Sequence, residues 1–327
     1  IVTIAMQWKD PYRSACPEGT VGCAEASIDL DAYLVGSHAI LGSPVGAATA
    51  VDNNTGPTGT GDPVEVLSFA NIDFWFDETF EIWIVARGPT DLGAGTTLTD
   101  VNGNPLEFKM IVYRGNTPSE HFPGAPTIVG HMNAEGAEAV GAAYHLNSPY
   151  NGVDPALLES FSSWGVTPVL FNYDGSSKPE AEWYRLKPGI TAVDGTDTTF
   201  FPGFVGDSDG DGFVDSDVDQ NGYPNFFGTS ASAPHAAAVA ALMLEANASL
   251  LPDDVYSLLR STARDMCDSD PATHDWCPSS GYGLIDAWEA VQAASGGTIN
   301  APPTTTDDSY NGLEDQQIAV AAPGVLG

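Results

Sequence analysis

The run Gly228-Thr229-Ser230 opens a segment, Ala231 to Leu244, in which only Ser232, Pro234 and His235 interrupt Ala, Val, Leu and Met. A helix apolar on all sides has no face suited to water and belongs in an interior. This one stretch therefore demands a packed core around it. Its longest apolar part, Ala236–Leu244, is too short to cross a bilayer, and no other run of about 18 uncharged apolar residues exists. Pro234 fits a helix in its first turn, which places the start near Ser230. A hydroxyl at such a helix mouth can be a plain N-cap. It can also be a nucleophile, because the free N–H groups and positive end of the helix stabilise an oxyanion.

The 327 residues suggest about two domains. They carry 44 acidic and 10 basic side chains, a net charge of −34. That field repels polyanions, which argues against nucleic acid and anionic membranes as partners. It suits a well-solvated extracellular surface. Four cysteines fall in two local pairs, Cys16 with Cys23 and Cys267 with Cys277. Two disulfides in an oxidising compartment are expected, and the absence of a CxxC pattern argues against zinc. The opening "IVTIAMQW" reads as a strand already under way, so residue 1 is expected to be a cut end.

Residues 1–115 read as all-β. "SIDLDAYLV" alternates, with Ile28, Leu30, Ala32 and Leu34 on one side and Asp29, Asp31 and Tyr33 on the other, the acidic pair facing solvent. "PVEVLSF", "ETFEIWIVARG" and "PLEFKMIVYRG" are further strands separated by turn-rich stretches, and the segment is expected to be a jelly-roll-type sandwich. Residues 116–294 mix strands and helices. "TIVGHMNAEGAEAVGAAYH" reads as a strand, a short helical piece and a second strand. A helix starts at Asp253 or Asp254 with Val255, Leu258, Leu259 and Thr262 at helical spacing, and Arg260 and Arg264 near its end suit the helix dipole. The last helix lies in "GYGLIDAWEAVQAA", with Ile285, Trp288 and Val291 on its buried face. Residues 295–327 begin with a Thr/Pro/Gly-rich linker.

"GTSASAPHAAAVAAL" closely resembles the serine motif of the subtilisin-like proteases. "SFSSWG" (160–165), "LKPGITAVDG", "GHMNAEGAEAVGAA" and "GYGLIDAWEAV" resemble further motifs of that family, in the same order, over about 127–294. The resemblance implies an α/β subtilisin-like catalytic domain in which Ser230 is the nucleophile and His235 is structural. Two positions depart from the pattern: Gly189 stands where Asp is usual, and Val193-Asp194 replaces Pro. The family's catalytic Asp and His and its oxyanion Asn are not recognisable in 1–126. Some bacterial members carry a β-sandwich after the oxyanion Asn, and "QWKDPY…DLDAYL…DPVEVLSF" resembles it. The chain is then expected to be the C-terminal half of the catalytic domain, with the upstream half supplying those residues and a polypeptide as substrate. His131, ahead of a buried strand, is the most notable other histidine and is read as structural. The Asp194-Gly195-Thr196 order is the reverse of the family's aspartate motif. The tail "DDSYNGLEDQQIAVAAPGVLG" resembles the start of a cadherin-like or Ig-like repeat. A non-catalytic role as a segment of an extracellular fibre is the rival reading.

"DSDGDGFVDSDVDQNG" is the second chemical motif. Asp207, Asp209 and Asp211 alternate, Gly212 permits a turn, Phe213 offers a carbonyl, and Asp215 follows, matching the first nine positions of a Ca²⁺ loop. Val218 stands where the closing Glu belongs, so Asp217 or Asp219 is expected to complete the shell. Six carboxylates this close repel one another without a cation. Asp29 and Asp31 are a weaker calcium candidate.

Overall fold

The computed structural model describes residues 2–16, 22–36, 46–47, 61–69, 80–87, 99, 105–114, 126–199, 206, 212–267 and 275–297. The chain divides into two compact units, 1–137 with 163–187 and 138–162 with 188–327.

Among the described residues of the first unit, six strands form two three-stranded antiparallel sheets. One has β1 (Val2–Trp8) between β4 (Val64–Phe69) and β6 (Phe108–Arg114). The other has β2 (Asp29–Gly36) between β3 (Gly46–Ala47) and β5 (Phe80–Arg87). Period-2 alternation sends Ile4, Met6 and Trp8 from β1, Leu67 from β4 and Leu30 and Ala32 from β2 into one core. The opposite face of β2 does not face water as expected: Asp31 is 2% and Asp29 9% exposed, and the Tyr33 hydroxyl donates to Asp31 at 3.0 Å. Alternation correctly separated the two faces. It could not show that the acidic face is covered. Residues 163–187 are tied into this unit by Thr127 N–H to the Trp164 carbonyl and by Lys109 Nζ to Thr167 Oγ1.

In the second unit β7 (Val140–Tyr144) and β8 (Ile190–Asp194) run parallel, with Val140 opposite Ile190 and Tyr144 opposite Asp194. Helix α1 (Thr229–Ala246) packs on both strands. Helices α2 (Pro252–Ser261) and α3 (Ala287–Ala294) pack beside α1. The core joins Ile190 and Ala192 of β8, Ala236, Val239 and Met243 of α1, Val255 and Leu259 of α2, and Ala290 and Ala294 of α3. Small side chains at these contacts let the helices approach closely.

Several local expectations are corrected. "TIVGHMN" is not a strand: 127–129 are irregular, Gly130–Asn133 form a 3₁₀ turn, and a turn at Glu135-Gly136 ends the helical piece. His131 on that turn is exposed. Ile285 and Val291 pack against the core as expected, but the fully buried residues of α3 are Ala290 and Ala294 and Trp288 is 36% exposed, because α1 takes the small-residue side. Pro234 lies in the second turn of α1, so the Ser230 carbonyl lacks its usual intrahelical donor.

Arg260 and Arg264 do more than face a helix dipole. Arg260 pairs with Glu138. That pair explains the glycine at 189, where a Cβ would collide with Glu138 Oε1. Arg264 Nε donates to Asp286 Oδ2 at 2.9 Å, while Asp286 Oδ1 accepts the Glu289 N–H at 3.1 Å and caps α3. Both expected disulfides, Cys16–Cys23 and Cys267–Cys277, are present. Asp286→Ala removes a cap and leaves Arg264 unpaired. Urea unfolding is expected to register a loss of about 1–3 kcal/mol.

Candidate active site

The parallel pair β7–β8 ends at Tyr144 and Asp194, and ligand sites in α/β sheets form beyond such carboxyl ends. From Asp194 the chain turns at Gly195 into β9 (Thr196–Asp197), which pairs antiparallel with β10 (Asn225–Phe226). Gly195 has φ +68°, and a Cβ there would stand 2.4 Å from the Tyr144 ring, so only glycine fits. Its N–H donates to the Phe226 carbonyl at 2.8 Å, and Asn225 Nδ2 donates to the Gly195 carbonyl at 2.9 Å.

β10 then feeds Phe227 and Gly228 directly into α1. Gly228 is the N-cap, with φ 128° and ψ 155°, a backbone state reserved for glycine. It has no side chain to cap the helix. Its own N–H donates to Asp194 Oδ2 at 2.7 Å. Ser230, the second residue of α1, is exposed. Among the described residues its hydroxyl makes no hydrogen bond. The amides of Thr229 and Ser230 precede the first intrahelical bonds and remain available to an oxyanion. His235 is half-buried, with Nδ1 2.8 Å from the Ala231 carbonyl, the structural role expected of it.

The surroundings of this mouth are acidic. Asp194 is completely buried, and among the described residues only one of its oxygens has a hydrogen-bond partner. Burial raises its pKa above the usual carboxylate range, against the opposing pull of the Gly228 amide and of His145 and His235. Burial, and then the Asp194 charge, raises Glu159 as well. Burial followed by four nearby carboxylates pushes Tyr144 upward.

Of the seven predicted calcium residues, Phe213, Asp215, Asp217 and Asp219 are among the described residues. Asp207, Asp209 and Asp211 lie outside the described residues. The Phe213–Asp219 stretch precedes β10, with the Asp215 N–H on the Gly206 carbonyl. Asp217 is buried and accepts the amides of Asn221 at 3.1 Å and Gly222 at 2.8 Å. Asp219 accepts Asn221 Nδ2 at 3.0 Å, and Asp197 accepts it at 2.9 Å. Among the described residues no three acidic, histidine or cysteine side chains converge as a metal site. Asp194 and Asn225, which hold the serine turn, were missed as site residues. The one signal at Asp194 was its departure from the Pro of the resembled motif.

Residues 158–295 match the model of the subtilase family, Peptidase S8. Bacillopeptidase F of Bacillus subtilis is 46% identical over 72 residues, 21% of this chain and 5% of that protein. Furin-like protease 1 of Drosophila melanogaster is 33% identical over 159 residues, 42% of this chain and 14% of that protein. The chain thus spans a small part of either relative. Among solved structures, a protease of Pseudoalteromonas arctica covers 50% of this chain and 38% of its own at 26% identity, with a TM-score of 0.27. The Clostridium perfringens CspB protease covers 90% and 52% at 15% identity, with a TM-score of 0.42.

The raised pKa of Asp194 has a defined sign in stability. The folded state holds this proton more tightly than the unfolded chain, so the stabilisation from protonation is full below the ordinary carboxylate range. It is lost as pH rises through the raised folded value. Urea unfolding at pH 5 and pH 7 is expected to show Asp194→Asn gaining stability on the wild type mainly at pH 7.

Proposed function

We propose that this chain is the serine-bearing part of a secreted subtilisin-type serine endopeptidase. The observation that carries the reading is the placement of an exposed Ser230 at the positive end of a long helix, just past the carboxyl ends of two parallel strands. Ser230 Oγ attacks the scissile carbonyl, and its own N–H contributes to the oxyanion hole. The base His, its orienting Asp and a second oxyanion donor Asn come from an upstream segment of the same protease domain.

The surface of α1 supports that partner. Its residues are apolar nearly all round, yet Ala233, Ala237, Ala238, Ala241, Leu242 and Leu244 are exposed. A helix of this composition is suited to burial on both sides, and the upstream half of the domain is the cover. Residues 116–294 then form the C-terminal half of the catalytic domain. Residues 1–115 form an inserted jelly-roll-type sandwich, and 295–327 a linker into a cadherin-like or Ig-like repeat. The two disulfides fit an oxidising, extracellular setting.

A fluorophosphonate probe checks the nucleophile. The full-length protein is expected to carry one adduct at Ser230, abolished in Ser230→Ala, and chain 1–327 alone is expected to remain unlabelled because a serine without a base is a weak nucleophile. Full-length protein with no adduct at Ser230 contradicts the reading.

The 207–219 loop is the calcium candidate, with Asp207, Asp209, Asp211, Phe213, Asp215, Asp217 and Asp219 as the ligand pool. The ion is structural in this reading and orders the approach to β10. Calcium chelation is expected to lower the melting temperature by about 5 °C, reversed by added Ca²⁺. An unchanged melting curve removes calcium from the description.

A further inference from the structure

We infer that Asp194 is a positioning residue for Ser230: from the end of β8 its carboxylate holds the Gly228 N–H and sets the entry of α1. Three observations converge. The Asp194 Oδ2 to Gly228 N distance is 2.7 Å, and Gly228 is the cap residue two positions before Ser230. Gly228 offers the helix no side-chain cap, so the fixed acceptor at the turn comes from outside α1. The same turn is clamped by Gly195 N–H to the Phe226 carbonyl and by Asn225 Nδ2 to the Gly195 carbonyl, which leaves the carboxylate no freedom to follow a drifting helix end.

The arrangement is unfavourable for stability alone. Asp194 is fully buried, its Oδ1 has no hydrogen-bond partner among the described residues, and Glu159 lies close enough for like-charge repulsion. A buried carboxylate with an unused oxygen costs folding free energy. A residue needed only to fill this space would be apolar. The geometry instead places a strong, charge-assisted acceptor on the one amide that fixes the direction of Gly228-Thr229-Ser230. The catalytic part of the inference rests on Ser230 being the nucleophile. The anchoring part does not.

The test uses the full-length protein with Asp194→Ala, Asp194→Asn, which keeps an acceptor oxygen, and Asp194→Leu, which fills the space without one. Hydrogen–deuterium exchange at Gly228 and Thr229 reads the anchor. The Ala and Leu variants are expected to exchange about tenfold faster there, with the Asn variant close to wild type. Unchanged exchange in the Leu variant, which keeps the site filled if the Ala variant fails to fold, overturns the anchor. Fluorophosphonate inactivation reads the positioning. The maximal rate is expected to fall about tenfold in the Leu variant, with half-saturation unchanged and the Asn variant restoring most of the rate. A normal maximal rate in the Leu variant, or an Asn variant as slow as Leu, overturns the positioning role. If the wild type takes no label, the nucleophile reading fails with it, and the exchange result still decides the anchor.

Discussion

The second unit depends on burying one apolar helix. Helix α1 has almost no polar side chain after its first two turns, so it is stable only where other elements remove it from water. β7 and β8 cover one side, with Val140 of β7 beside Ile190 and Ala192 of β8, and α2 and α3 close around Val239 and Met243. Four of the nine buried core residues are alanine, which lets the helices approach closely, so each backbone is positioned by its neighbour. The N-terminus of α1 is thereby held against the carboxyl ends of the two strands. A serine placed at that terminus inherits its location from core packing.

Holding the serine turn takes polar groups that the core does not need. Gly228 adopts a backbone state closed to other residues, a Cβ at Gly195 would strike the Tyr144 ring, Asn225 bridges the turn to β9, and a buried carboxylate receives the Gly228 amide. Two glycines and a desolvated charge all act against stability. They meet in space at the turn that leads into Ser230, where a fixed local geometry is held at an energetic cost.

Much of this was readable along the chain. Period-2 alternation separated Leu30 and Ala32 from Asp29 and Asp31 with the right faces, and helical spacing placed Val255 and Leu259 in the core. The disulfide pairs followed from spacing and compartment. The failures share a cause. Trp288 was assigned to the core because it is large and apolar, but α1 approaches α3 over Ala290 and Ala294. The acidic face of β2 was assigned to solvent because charge is costly to bury, yet neighbours cover it. Periodicity identifies faces and says nothing about which neighbour, if any, arrives at each.

The sequence alone determined that a helix mouth carries a hydroxyl, that the helix behind it must be buried, and that the surface is strongly acidic. These follow from side-chain chemistry and from spacings of a few residues, which the chain carries locally. Only the tertiary structure decided that Asp194, far along the chain from Ser230, is brought to the amide of Gly228, and that Glu138 fills the space at Gly189. Those contacts depend on the register of β7 against β8 and on the return of the chain through β9 and β10. A hydrogen bond requires a separation near 3 Å, and no local pattern specifies which distant residues will meet at that distance.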